Sequence, residues 1–116
     1  MNKNQVRKLL ETALDVYDKQ HQISNEIYKI VSEESDCYVD MFDDVIDNIL
    51  EVIKMEFNLT DKYIELTEEI NIVDYWFWET DRGGMDWMSL KNEKGVEFEP
   101  TLDNLIEILF EDYKNG

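Results

Sequence analysis

The stretch Asp36-Cys-Tyr-Val-Asp-Met-Phe-Asp-Asp-Val-Ile-Asp-Asn-Ile-Leu-Glu-Val-Ile-Lys-Met-Glu-Phe57 carries two helical rows at once. Phe42, Val45, Ile49, Val52, Ile53 and Phe57 recur at helical spacing and predict the face of a helix turned to a core. Asp36, Asp40, Asp43, Asp44, Asp47 and Glu51 recur at steps of three and four and predict a row of carboxylates along another side. Ser35-Asp36 reads as the N-cap of this helix. Like charges stacked in this way oppose helix formation, so the row costs stability unless the surface is used for something.

Upstream, Leu9, Ala13, Val16, Gln20, Ile23, Ile27 and Ile30 alternate steps of four and three, and Val6, Leu10, Tyr17 and Val31 widen the stripe. The pattern predicts one long amphipathic helix from about residue 3 to about 33, with Asp18 to Gln22 as the place for a bend. Downstream, Thr60-Asp61 and Thr67-Glu68-Glu69 are helix-start signals. Ile70 to Trp78 has helical spacing but strand-like content; the glutamates that open it favour helix through the macrodipole. Asp81-Arg82-Gly83-Gly84 then interrupts the chain.

Trp87 to Lys91 and Val96 to Glu99 flank Asn92-Glu93-Lys94-Gly95 and read as a β-hairpin, packed on the helices through Trp87 and Phe98. Pro100 stops the second strand, and Thr101 caps a last helix with Asp103 in its first turn and Leu102, Leu105, Ile106, Leu109 and Tyr113 on its inner face. The expected fold is α+β and mostly α. It has two long N-terminal helices, a third helical segment, a small β-hairpin and a C-terminal helix, all in one domain spanning residues 1–116.

Composition agrees with a folded acidic protein. The chain has 116 residues, is 43% hydrophobic and 12% aromatic, and has a formal net charge of −17. Residues 1–31 hold four acids and five bases, whereas residues 32–116 hold 24 acids and six bases. That asymmetry repels anionic lipid and nucleic-acid backbones and selects basic partners. The single cysteine, Cys37, excludes an internal disulfide and a multi-cysteine zinc site and suits a reducing cytoplasm. Its acidic neighbours raise the thiol pKa and dull its reactivity. No apolar run approaches the roughly 20 residues of a membrane span, and the N-terminus lacks a signal-peptide core.

No catalytic constellation competes with the acidic surface. His21 has no second histidine or cysteine to pair with, and Gly83-Gly84 lacks a phosphate-loop pattern. Asp81 to Glu93 lacks the calcium-loop ligand order. Asp40-x-x-Asp43, Asp44-x-x-Asp47 and Glu65-x-x-Glu68 resemble the paired acidic motifs of all-α nucleoside-triphosphate pyrophosphohydrolases, which hold Mg²⁺ between facing helices. In this chain Asp pairs stand first where that family favours Glu, and no basic cluster waits for a triphosphate. The expectation is therefore a non-enzyme with no cofactor and no metal. Tyr75-Trp-Phe-Trp78, with Trp87, is the second unusual element; in a helix or a strand its rings cannot all be central, so one of Trp76, Trp78 and Trp87 is expected partly exposed as an anchor for a partner, against the plainer reading that the rings seal the hairpin onto the helices.

From Asp74 the order Asp-Tyr-Trp-Phe-Trp-Glu-Thr-Asp-Arg-Gly83, then a hairpin, then Glu99-Pro-Thr-Leu-Asp-Asn-Leu-Ile-Glu-Ile-Leu109, resembles small acidic phage-encoded accessory proteins. The resemblance covers about the last third of the chain. It implies an anti-defence context, in which small acidic DNA mimics inhibit restriction or CRISPR effectors, and it assigns no residue a role. Charge and resemblance together predict a cytoplasmic inhibitor of a basic nucleic-acid-binding protein or nuclease effector. Asp36, Asp40, Asp43, Asp44, Asp47 and Glu51 form its charged edge, with Trp76 and Trp78 as apolar anchors. Direct contact with nucleic acid or membrane is not expected. The broad stripe of the first helix suits either an internal core or a homodimer seam. An immunity protein that neutralises a cationic nuclease toxin would use the same electrostatics.

Overall fold

In the computed structural model the chain is mostly helical with a small antiparallel sheet, and the structure describes residues 1–31, 42–59, 71–80, 82 and 88–113. Helix α1 (Lys3–Val31) is the long amphipathic element that the stripe predicts, and it runs on through Asp18 to Gln22 without a break. Val6, Leu10 and Ala13 are fully buried along it, with Leu9, Leu14, Val16 and Tyr17 half-buried against the same core. At 29 residues it is about 43 Å long, about twice the length of any other helix among the described residues.

Helix α2 (Asp43–Glu56) packs along α1. Its N-cap position is Phe42, whose side chain makes no capping bond; Ser35-Asp36, the expected cap, lies outside the described residues. The cap comes from α1 instead. The buried Gln20 side chain accepts the Phe42 N–H through Oε1 at 2.9 Å and donates from Nε2 to Asp43 Oδ1 at 2.9 Å. At the other end Asn58 takes the left-handed conformation (φ 55), the Leu59 N–H donates to the Lys54 carbonyl and the Asn58 N–H to that of Met55. This is a Schellman closure with Asn in the place glycine usually fills. Leu59 drops into the core beyond it.

These two closures fix the rotation of α2 and correct the expected core face. Ile46, Leu50, Ile53 and Phe57 are buried, with Ile49 half-buried, whereas Val45 and Val52, expected inside, are exposed. Six apolar residues crowd into Val45 to Ile53, so two helical stripes overlap and only the tertiary clasp selects between them.

Helix α3 (Ile72–Asp74) runs directly into a π-helical turn, Tyr75–Glu79, so the segment is helical as expected. Asn71 caps it, accepting the Asp74 N–H through its side chain at 3.0 Å, and Asp74 is the acid in its first turn. Tyr75, Trp76 and Phe77 are consecutive and all buried, an arrangement favoured by the wider π turn with its i→i+5 bonding. After Glu79 the chain turns through Arg82 (φ 52). The Arg82 guanidinium donates from Nε to the Phe77 carbonyl at 2.7 Å and lies over the Phe77 and Tyr17 rings at 4.6 and 5.0 Å. That clamp supports a backbone conformation uncommon for a residue with a Cβ.

The hairpin is present but shorter than expected. Strands β1 (Leu90–Lys91) and β2 (Glu97–Phe98) pair antiparallel, Leu90 opposite Phe98 and Lys91 opposite Glu97. Gly95 (φ 80) closes the loop, which Asn92 staples by accepting the Lys94 and Val96 N–H groups through Oδ1. Leu90 is the buried residue of the pair and Phe98 packs half-buried beside it; Trp87, expected to share this task, lies outside the described residues. Thr101 caps α4 (Leu102–Ile108) through its hydroxyl, as predicted, and a second π turn, Leu109–Tyr113, follows. Leu105, Ile106, Ile108 and Leu109 seal the core, with Leu102 and Tyr113 half-buried at its edge. The expected starts at Thr60-Asp61 and Thr67-Glu68-Glu69, and the Gly83-Gly84 turn, fall outside the described residues.

Candidate partner-binding face

With Ile46, Leu50 and Ile53 turned inward, the remaining surface of α2 sorts by chemistry around its circumference. At 3.6 residues per turn, Asp47, Glu51 and Asp44 fall within about 60° of arc, between 100° and 160° or so from the core direction. All three are exposed. Asp43 lies nearer the core and is half-buried, its carboxylate engaged by Gln20. Of the six acids expected in the row, the structure thus brings three together at the surface and assigns Asp43 to the α1–α2 clasp. Asp36 and Asp40 lie outside the described residues.

Lys54 borders this row from the α3 side. Its ammonium donates to Asp74 Oδ2 at 3.0 Å and sits 3.3 Å from Glu51 Oε2. Asn71 donates to the same Asp74 oxygen at 3.1 Å, so the cap of α3 and the cation of α2 share one carboxylate. Lys54 is largely buried, and desolvation works against its charge. The hydrogen bonds and charges of Asp74 and Glu51 outweigh that cost and raise its pKa above the usual lysine value. For Asp47 the balance goes against the charged form. Partial desolvation, then the negative charge of Asp74, and further the charges of Asp43 and Asp44 push its pKa above the ordinary aspartate value, with Lys54 opposing. A folded protein that keeps Asp47 ionised at neutral pH therefore holds that charge against its own electrostatics.

The two tryptophans separate. Trp76 is fully buried and its indole N–H donates to the Pro100 carbonyl at 3.0 Å, joining the π turn to the start of α4. It cannot serve as a surface anchor, which corrects that expectation. The reason is the π turn, which carries three successive aromatic side chains into the core. Trp78 is half-buried, its ring 4.8 Å from Phe77 and 6.0 Å from Tyr17, and Tyr17 in turn meets the exposed His21 at 4.5 Å. Trp78 retains an accessible edge, in an aromatic group distinct from the acidic row.

Sequence reasoning missed Gln20 and Lys54, both decisive for how the acids are presented. Gln20 stood in the apolar stripe of α1, and a polar residue at a core position is the signal that a buried hydrogen-bonding partner awaits it. Among the described residues no group of three or more His, Cys, Asp and Glu side chains is placed to hold a metal ion, and no helix is long and apolar enough to cross a membrane. Glu65 and Glu68, the second acidic pair of the pyrophosphohydrolase-like pattern, are outside the described residues. Comparison with known proteins finds no matching family model, no matching curated protein and no matching solved structure.

Proposed function

We propose that this chain is a non-enzymatic acidic inhibitor that binds the basic nucleic-acid groove of a bacterial defence effector. The observation that carries the reading is the presentation of Asp44, Asp47 and Glu51 on one outward row of a helix clasped at both ends. Steps of three and four residues separate these carboxylates by about 4.5 and 6 Å along the axis. Phosphates on a DNA strand advance about 3.4 Å per nucleotide while winding round the helix, so a basic channel built for them meets charge at comparable intervals here. The surplus of 24 acids over six bases in residues 32–116 gives the field that steers a cationic groove toward the row.

The test is capture from bacterial lysate on the immobilised protein at low salt, followed by elution in rising salt and identification of each fraction. The expected result is one nucleic-acid-binding effector released at high salt and not retained by an Asp44→Asn/Asp47→Asn/Glu51→Gln variant. A scatter of basic proteins released early, or equal retention by the variant, contradicts the reading.

A further inference from the structure

Among the described residues four large hydrophobic side chains stand exposed, and three of them lie on one strip of α2: Val45 at 44%, Val52 at 47% and Met55 at 65%. Asn48, also exposed, completes the strip. The steps 45, 48, 52, 55 are three, four and three, the a/d spacing by which one helix seats another. The strip is separate from the face that Ile46, Leu50 and Ile53 turn to the core. On a helix of 3.6 residues per turn it spans about 80° of arc, and it begins where the acidic row ends, Met55 lying about 20° from Asp44. A surface helix ordinarily shows a polar outer face; α2 shows an apolar seam with an acidic border.

We infer that the seam and its border are one seat for an amphipathic helix of a basic partner. The partner's apolar side chains lie on Val45, Val52 and Met55, and its Lys or Arg side chains reach Asp44, Asp47 and Glu51. This rests on the proposed role of the acidic row and narrows the partner to one that offers an apolar ridge as well as positive charge. Basic helices are a common nucleic-acid-reading element, so the two requirements meet in the class of effector already proposed.

Charge selects this occupant over the others. A second copy of α2 laid on the seam brings Asp44, Asp47 and Glu51 against the same acids, while the one base of α2, Lys54, is held by Asp74 and Glu51. The chain's own stretches 32–41 and 60–70 are equally unsuited by composition, the first with four acids and no base, the second with four acids and one base. Like charges juxtaposed across an interface are strongly unfavourable. A helix rich in Lys and Arg gains from the border and the seam together.

The probe is a labelled synthetic peptide of about two heptads with Leu along one stripe and Lys beside it, compared with a scramble of identical composition that has no stripe. At about 150 mM salt the patterned peptide is expected to bind the full chain at least about tenfold more tightly than the scramble. Val52→Ser/Met55→Ser, with every acid intact, should bring the two peptides to the same affinity. Asp44→Asn/Asp47→Asn/Glu51→Gln should weaken both. The serine positions are exposed, and an unchanged thermal melt verifies that the fold is kept. Equal binding of both peptides to the unaltered protein overturns the seat and leaves the acidic row standing. Absence of binding by either peptide even at low salt overturns both. A dimer of the free protein that Val52→Ser/Met55→Ser dissociates would give the seam to a second copy and overturn the inference.

Discussion

Gln20 and Asp43, 23 positions apart in sequence, are joined by a hydrogen bond of 2.9 Å from Nε2 to Oδ1, and the same buried amide accepts the Phe42 N–H. One side chain of α1 thereby caps α2 and sets its rotation. The acids of the outer row owe their outward direction to that contact as much as to their own spacing.

Removing the clasp should therefore cost more than a surface glutamine normally does. Gln20→Ala leaves a Phe42 N–H without its partner and is expected to destabilise the fold by about 1–3 kcal/mol in chemical denaturation. Gln20→Glu replaces the donor with a carboxylate facing Asp43, and at pH 7 it should be worse than Gln20→Ala. Its excess cost should shrink as pH falls from the raised folded pKa of the new glutamate toward the ordinary value of about 4, below which both states are protonated. A Gln20→Glu protein as stable as the parent at pH 7 would mean that the clasp does not hold α2.

Asp47 gives a pH signature of the opposite kind to a paired carboxylate. Its folded pKa is raised, so between the unfolded and folded values the native state binds more protons, and stability falls as pH rises through that window. Asp47→Asn removes the penalty and is expected to stabilise the protein at pH 7 by about 0.5 kcal/mol, the scale of like-charge pairs on a helix. The gain should vanish below the ordinary aspartate pKa, where Asp47 is itself protonated. Thermal melts of the two proteins at neutral and acidic pH check this; a loss of stability at pH 7 would contradict the assigned electrostatics. A stabilising change that also weakens partner binding is the expected mark of a charge retained for use.

Trp76 separates structure from function within the aromatic run. Trp76→Phe loses the bond to the Pro100 carbonyl and part of the buried ring. The expected cost is about 2–3 kcal/mol of stability, combining a hydrogen bond with a partly filled cavity. Because the side chain is fully buried, affinity of the folded variant for a basic peptide should be unchanged. A folded Trp76→Phe protein that binds less well would return this residue to the binding face.

Much of the fold was legible because its signals are local. The long stripe of α1, the Thr101 cap before Leu102 and the glycine-closed loop at Asn92 to Gly95 each specify an element within a few residues. What could not be read depended on contacts across the chain. Val45 and Val52 match a helical core face as well as Ile46 and Leu50 do, and only the Gln20 clasp and the Asn58 closure decide between them. The π turns at Tyr75–Glu79 and Leu109–Tyr113 carry no period of their own in a segment that scans as ordinary helix, so the burial of Trp76 was hidden. Three of the acids read from spacing do share a face. The capture of Asp43 by Gln20 comes from a residue distant in sequence, whereas the pairing of Glu51 with Lys54, one step of three along the same helix, is a local signal that was open to reading.

In the proposed complex the outer row of α2 occupies a site made for nucleic acid. That is tested most directly by competition, in which a labelled DNA duplex bound to the captured effector is titrated with this protein at about 50 and 200 mM salt. The protein is expected to displace the DNA, its affinity for the effector to fall steeply between the two salt concentrations, and Asp44→Asn/Asp47→Asn/Glu51→Gln to displace it at least about tenfold less well. Protein and DNA bound to the effector together, or displacement by the variant as effective as by the parent, would contradict it.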